Sequence, residues 1–291
     1  MANIVFTTCN KWPDLYESDQ LIANALDTLG HHVQPVRWQD DFTRFVQADL
    51  IILRAHWDYH YDLPAFQQWL DQLVAAALPV HNPLALVRWN LEKRYLLALE
   101  SNGIAMPKAV VLEPDADPAA IYAAQGWSQA VIKPLVGASG HLVERVARDA
   151  LQSWATEVRS RRQTSQWLVQ EFVAEIQAGG ELSLVFLGGT FSHAVVKRPQ
   201  AGEFRSNSQY QGAITRIVPP AAILAQAQRV LAVLPTMPLY ARVDGIISEA
   251  GAFLVLELEL NEPSLYFTFA PEQAVHFATV IQAQLGQAAP S

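Results

Sequence analysis

The segment RVDGIISEAGAFLVLELELNEPS sets the strongest limit on how this chain folds. Two β-type runs, YARVDGIIS and AFLVLELE, flank EAG with glycine at the turn, which is a hairpin signal. With the turn near Ala250 and Gly251, Asp244 faces Glu257 and Arg242 faces Glu259. Strand periodicity of two then puts these four side chains on one face and Val243, Gly245, Leu256 and Leu258 on the other. A slip of one residue would break the grouping. Buried carboxylates are costly without a positive partner, and hard oxygen ligands so arranged suit Mg²⁺ or Mn²⁺. A solvated face with a surface ion pair is the plain alternative. Asn261 and Glu262 continue the run, so the ligand set can also be read two residues further on.

With 291 residues, 51% of them hydrophobic and 16% charged, the chain suits two or three packed subdomains. The net charge of −8 speaks against nonspecific nucleic-acid binding, so an anionic ligand needs locally placed lysines and arginines. The single cysteine, Cys9, allows no internal disulfide framework and no cysteine-based zinc site. It ends the first apolar run, where a small buried residue is expected rather than a nucleophile. The N-terminal MANIVFTTCNKWPD lacks a basic leader, and no stretch approaches the roughly 20 apolar residues of a membrane span. A cytoplasmic protein without membrane or nucleic-acid partners is expected, and a homodimer is a reasonable starting expectation.

Strand and helix signals alternate over the first third: NIVFTT, DQLIANALDTLG, HHVQPVRW, ADLIILR and FQQWLDQLVAAAL, closing at PVHNP. This order predicts a parallel sheet covered by helices over residues 1–88. RWNLEKRYLLALESNGI reads as one helix, with Asn90 as N-cap and Gly103 as its stop. KAVVLE, QAVIKP, HLVERV and QWLVQEFV read as strands around one helix, ALQSWATEVRSR, in a small α+β unit spanning 107–170. ELSLVFLGG, FSHAVVKRP, LYARVDGIIS and FLVLELE follow as strands, with helices PAAILAQAQRVLAVLP and EQAVHFATVIQAQL. The expected division is 1–88, 89–170 and 171–291, a mixture of α/β and α+β.

Lys133 ends the VIK run and precedes VGASG, where Gly137, Ser139 and Gly140 can offer backbone N–H groups to phosphate oxygens. This is not a P-loop, and no GxGxxG occurs. Lys197 ends another β-run, and Lys93 sits on the helix after the first unit. Each lysine alone reads as a surface charge. Three of them, with a glycine-rich loop and a carboxylate hairpin, make a set of parts for holding Mg²⁺-ATP. Glu171, Phe172 and Val173 would give backbone groups and an apolar wall to a purine, and Glu175 an acceptor for ribose hydroxyls.

The order Lys93, VIKP with VGASG, QEFV, VVKRP, RVDG and LELE resembles the ATP-grasp superfamily in its glutathione-synthetase-like branch, over about residues 90 to 264. LRAHWDYH, VHNP with WNLEKRYL, GEFRSN and LELELNEPSLY resemble more narrowly the subgroup of ATP-dependent cyclising ligases that form D-cycloserine. The resemblance implies an ATP-grasp fold behind an N-terminal parallel-sheet domain. It implies Lys93 and Lys133 at the α/β-phosphates, Glu171 to Val173 and Glu175 at the nucleoside, and Lys197 at the phosphate tail. It also implies a metal held by Asp244, Glu257 and Glu259. Many members place Glu-x-Asn last; here Glu259-x-Asn261 fits that pattern, while the hairpin register favours Glu257-x-Glu259, and both readings stand.

The implied chemistry activates a small amino-acid-like carboxylate as an acyl phosphate, which an amine attacks to give an amide or cyclic amide. Lys197, Arg242 and Arg205 are the expected catalytic cations. Arg54, Trp57 and Asp58, together with Glu181, Ser183 and Asn207, are expected to shape the substrate site. His193 alternates with apolar residues and reads as a satisfied strand histidine. A phosphotransferase would be identified instead by a stable phosphorylated product, and a nucleotide-binding module by tight MgATP binding without turnover.

Overall fold

The computed structural model describes residues 1–114, 116–159, 166–200, 203–205 and 212–285. The N-terminal unit runs β1 (Asn3–Thr8), α1 (Glu17–Thr28), β2 (His32–Arg37), α2 (Thr43–Val46), β3 (Leu50–Ile52), α3 (Leu63–Ala75) and β4 (Val80–His81). Its sheet has the order β2-β1-β3-β4, all parallel. Apolar side chains leave this sheet on both faces, as strands buried on two sides require. Val5 and Ile51 pack towards α3, whereas Ile4, Phe6, Leu50 and Ile52 pack into a second core.

Two helices follow, α4 (Leu84–Leu91) and α5 (Tyr95–Ser101). The single helix expected here is broken, because Glu92 is extended and the Lys93 N–H is drawn away to Leu135 O. Asn90 is therefore no N-cap. It lies buried in the last turn of α4, donating to Leu258 O (2.8 Å) and accepting from Leu260 N (2.9 Å). Gly103 does end the segment, at φ +78°.

The second unit contains β5 (Ala109–Leu112), α6 (Pro118–Gln125), β6 (Gln129–Pro134), β7 (Glu144–Ala147), α7 (Leu151–Trp154) and β8 (Trp167–Glu171). Its antiparallel sheet has the order β5-β8-β6-β7. Helix α6 is absent from the expected set although its start is written locally: Asp117 accepts from Ala119 N ahead of Pro118.

The last unit comprises α8 (Glu175–Gly179), β9 (Glu181–Leu187), β10 (Thr190–Arg198), β11 (Ala213–Ile217), α9 (Ala221–Ala232), β12 (Tyr240–Ile247), β13 (Phe253–Glu259) and α10 (Pro271–Gln282). The sheet is antiparallel, in the order β11-β10-β9-β12-β13. One face carries Leu184, Ala194, Val243 and Leu258 into a core with α5 and α9. The other face is divided. Val185, Leu187 and Tyr240 at one end join Ile4, Phe6 and α10, which seals the N-terminal sheet to the last unit. Lys197, Arg242, Asp244, Glu257 and Glu259 stand at the other end of that face.

The hairpin register is Asp244 opposite Glu257 and Arg242 opposite Glu259. It arises from two offsets that cancel. The turn spans Ser248 to Ala252, so Ile247 pairs with Phe253, and a bulge after Asp244 shifts the ladder by one. Gly245 sits at that bulge, where a Cβ would meet the Phe253 ring at 2.5 Å and Leu254 O at 2.6 Å. A side chain at 245 would push the two strands apart beside Asp244.

Candidate active site

A cleft of about 570 Å³ opens where the three units meet. Lys93, Lys133, Lys197 and Arg242 line it together with Asp244, Glu257, Glu259 and Asn261. Each cation enters from a different element: Lys93 from the break between α4 and α5, Lys133 from β6, Lys197 from β10 and Arg242 from β12. The helix break aims Lys93 inward, and its Nζ donates to Gly137 O at 3.0 Å. Gly137, Ser139 and Gly140 line the same space, as do Glu171, Phe172 and Val173.

The charges are paired across the cleft floor. Lys133 Nζ lies 3.2 Å from Glu257 Oε1, and Lys93 Nζ lies 3.9 Å from the same oxygen. Lys197 Nζ lies 2.6 Å from Glu181 and 3.7 Å from Asp244. Arg242 grips Asp244 (Nη2–Oδ2 2.9 Å) and also bonds Glu259. Ser183 donates to Asp244 Oδ1 at 2.6 Å. Burial opposes charge on Asp244, but Arg242 and Lys197 outweigh it and hold the carboxyl below its ordinary value. Glu257 is depressed in the same way by Lys133 and Lys93. Burial likewise works against Lys197, yet Asp244 and Glu181 hold its pKa far above the ordinary lysine value. Glu259 differs: burial, with Asp244 and Glu257 adding repulsion against Arg242, pushes it up to about 7. Burial and Glu259 push Glu262 up to about 8.

These shifts give a pH prediction. Between about pH 6.5 and 8 the folded chain binds more protons than the unfolded one through Glu259 and Glu262, so stability falls as pH rises. Below about 6.5 the sign reverses, because burial holds His56 near 3 and His60 and His193 near 4, and unfolding takes up protons there. Denaturant midpoints of the nucleotide-free protein should therefore peak near pH 6.5. The alkaline decline should flatten in E259Q.

The donor set fits a hard cation. Ligand atoms of Asp244, Glu257 and Glu259 all lie within 4.8 Å of one another. Asn261 Oδ1, buried on the same cleft wall, has no hydrogen-bond partner. An orphaned carbonyl oxygen beside three clustered carboxylates is what an oxygen-preferring ion would satisfy.

Several expected site residues stand elsewhere. Arg54 is 1% exposed behind the wall, paired to Asp19 at 2.8 Å and donating to Pro263 O. Asp58 accepts from Trp38 Nε1 (2.6 Å), Gln39 Nε2 (2.8 Å) and Asn10 N (3.3 Å), so it holds the N-terminal loops rather than a substrate. Ser183 is fully buried and positions Asp244. Glu175 turns from the cleft to accept from Glu249 N. Arg205 does line the cleft, in a two-point pair with Glu203 (Nη2–Oε2 2.7 Å). Trp57 also lines it, with Nε1 donating to Glu262 O at 2.7 Å. Asn207 lies outside the described residues. His193 is satisfied between Ser192 and Leu265 O, and Cys9 is buried, with burial raising its thiol.

Sequence reasoning assigned no site role to Asn90, Tyr95, Tyr266 or the loop residues Lys11, Trp12 and Tyr16, all of which line the cleft. Asn90 and Tyr95 hold β13 by its backbone, Tyr95 OH accepting from Leu258 N at 3.1 Å. Asn90→Ala would leave Leu258 O and Leu260 N without their buried partners. A loss of about 2 kcal/mol is expected by urea denaturation, with weaker MgATP binding by calorimetry.

Comparison with known proteins agrees with this geometry. Residues 4–82 match the family model for the N-terminal domain of D-cycloserine synthetase DcsG, and residues 96–231 match the prokaryotic glutathione synthetase ATP-grasp domain. The cycloserine biosynthesis protein DcsG of Streptomyces lavendulae is 27% identical over 279 residues, covering 91% of this chain and 92% of that one. A probable alpha-L-glutamate ligase of Pectobacterium carotovorum is 28% identical over 169 residues, 58% of this chain and 53% of its own length. The crystal structure of DcsG superposes with a TM-score of 0.86 at 24% identity, over 97% of this chain and 99% of that one. A D-alanine–D-alanine ligase from Bacillus anthracis, complexed with ATP, gives 0.71 at 17% identity over 99% and 97% of the two chains. Two matched domains in this order, on a fold shared along nearly the whole chain, place the protein in the ATP-grasp superfamily, with a DcsG-type N-terminal domain ahead of a glutathione-synthetase-like ATP-grasp domain.

Proposed function

We propose that this protein is an ADP-forming carboxylate–amine ligase, which activates a small amino-acid-like carboxylate with ATP and passes the acyl group to an amine. The observation that carries the reading is the convergence of Lys93, Lys133, Lys197 and Arg242 with three clustered carboxylates in one cleft. A plain carboxylate does not accept an amine because oxide is too poor a leaving group. Attack of its oxygen on the γ-phosphorus breaks the bond to ADP and makes an acyl phosphate. The amine then adds to the acyl carbon, loses its proton and expels phosphate.

In this reading Lys93 and Lys133 bind the α/β-phosphates, exchanging Glu257 for phosphate oxygens. Lys197 binds the phosphate tail, and Arg242 is positioned to neutralise charge on the transferring group. Arg205, tied to Glu203 at the cleft edge, is assigned to the substrate side. Gly137, Ser139 and Gly140 offer backbone donors, and Glu171 to Val173 form the nucleoside wall. Asp244, Glu257, Glu259 and Asn261 would hold Mg²⁺, which when bound neutralises phosphate charge. The 107–170 unit covers the cleft and keeps water from the acyl phosphate.

Hydroxylamine should trap the acyl phosphate as a hydroxamate, with ADP and phosphate released in step. AMP and pyrophosphate would reject the reading. Among the described residues no helix is long and apolar enough to cross a membrane.

A further inference from the structure

The loop 135–143, which joins β6 to β7 and brings Gly137, Ser139 and Gly140 to the cleft, belongs to the second unit but docks on the first. Ala138 is buried in the N-terminal core with Tyr59, Val87 and Leu91. Leu142, four residues on, packs into the core of the second unit. To pass between the two cores the backbone turns left-handed at Ser139 (φ +55°), Gly140 (φ +67°) and Leu142 (φ +57°). Glycine adopts this freely, but a side chain makes it unfavourable at Ser139 and Leu142. The loop keeps this form only while contacts outside it offset the strain. The Lys93 bond to Gly137 O is one such contact.

A cluster of three rings is another. His60 and Tyr61 lie in a short 3-10 turn after β3, and His141 lies in the loop. The ring centroids are 4.1 Å apart for His60 and Tyr61, 5.4 Å for His60 and His141, and 5.5 Å for Tyr61 and His141. Tyr61 is 68% exposed, and among the described residues its ring meets only these two imidazoles, so core packing does not explain its place. Both ring nitrogens of His60 are buried without a hydrogen-bond partner. Burial, with His141 adding to it, holds the His60 pKa down at about 4. His60 therefore meets His141 as a neutral aromatic face rather than as a proton donor or a charge.

We propose that His60 and Tyr61 are positioning residues that latch the glycine loop shut through His141. The N-terminal unit, which supplies none of the lysines assigned to phosphate, then sets the affinity for the nucleotide. This inference rests on the ligase reading and adds to it a control on how the nucleotide is held.

The test compares wild type with H60A, Y61A, H141A and H60F, by hydrogen–deuterium exchange without nucleotide and by calorimetry with the nonhydrolysable analogue Mg-AMPPNP. The His141 and Val143 amides report the loop, because they donate to Ala138 O at 3.1 Å and Gly140 O at 3.2 Å. H60A and Y61A should exchange these amides at least about tenfold faster and raise the Kd for Mg-AMPPNP about tenfold, with the amides of β1, β3 and α3 unchanged. H141A should do the same, and H60A combined with H141A should be no worse than either alone, since both break one contact. H60F keeps a ring and drops both nitrogens, so it should behave as wild type. Loosening of the N-terminal amides along with the loop would mark a merely structural role and overturn the latch. So would unchanged loop exchange in H60A, additive effects in the double variant, or H60F resembling H60A; each leaves the ligase standing. Wild type that binds no Mg-AMPPNP overturns the ligase reading and this inference with it.

Discussion

Asp244→Asn is expected to lower ATP-dependent turnover by about 1,000-fold or more, a loss of roughly 4 kcal/mol of transition-state stabilisation. The reasoning is electrostatic, since the amide is nearly isosteric. Asp244 is 1% exposed and is the one carboxylate on this floor in contact with Arg242, Lys197 and Ser183 together. Removing its charge takes an anionic ligand from the metal cluster and frees Lys197 and Arg242 to collapse onto Glu181 and Glu259. The same change leaves two buried cations short of negative charge, so a loss of about 2 kcal/mol in folding stability is also expected. Ser183→Ala supplies the contrast. It keeps the charge and deletes only the 2.6 Å hydrogen bond, which should cost about 1 kcal/mol of stability and roughly tenfold in kcat. MgATP titrations and phosphate release read both. D244N with wild-type nucleotide affinity and turnover would remove the metal assignment.

The pairing of Asp244 with Glu257 was legible because LELEL fixes the period, and a hairpin with one charged face tolerates no slip. The turn length and the Gly245 bulge were not legible; their errors cancelled because the charged face fixes the register more firmly than the loop does. Lys133, Lys197 and the glycine loop could be found at strand ends, and Lys93 on the segment after the first unit. Their exact neighbours could not, since the Lys133–Glu257 contact joins residues 124 apart. Arg54 and Asp58 misled for the same reason. LRAHWDYH is rich in functional side chains, but Arg54 is consumed by Asp19 and by Pro263 O, which lies 209 residues further along the chain. Asn90 looked like a cap by composition, and only the arrival of β13 shows that both ends of its amide are committed to another element.

Asn82→Ala is expected to destabilise the chain by about 3–4 kcal/mol by urea or guanidinium denaturation. Asn82 is fully buried just after β4, in the PVHNP stretch that closes the N-terminal unit. Its Nδ2 donates to Tyr240 O at 2.9 Å and to Leu260 O at 2.7 Å; its Oδ1 accepts from Leu239 N at 2.6 Å and Tyr240 N at 3.3 Å. One amide thus satisfies four backbone groups where β12 begins and where the chain leaves β13. Two donors on one side and an acceptor on the other are properties of Asn that Asp and Leu lack. Asn82→Asp would set a carboxylate against two carbonyl oxygens and should be at least as damaging as alanine. The effect should also reach the active site. The strand that starts at Tyr240 carries Arg242 and Asp244, and Tyr240 OH bonds Asn261 O one residue past Leu260. Residual folded N82A should therefore bind MgATP more weakly than wild type at a temperature where both are native. A denaturation midpoint within about 0.5 kcal/mol of wild type would show that the two units are held by apolar packing alone, and the amide would lose its place as the joint that sets the catalytic strand against the N-terminal sheet.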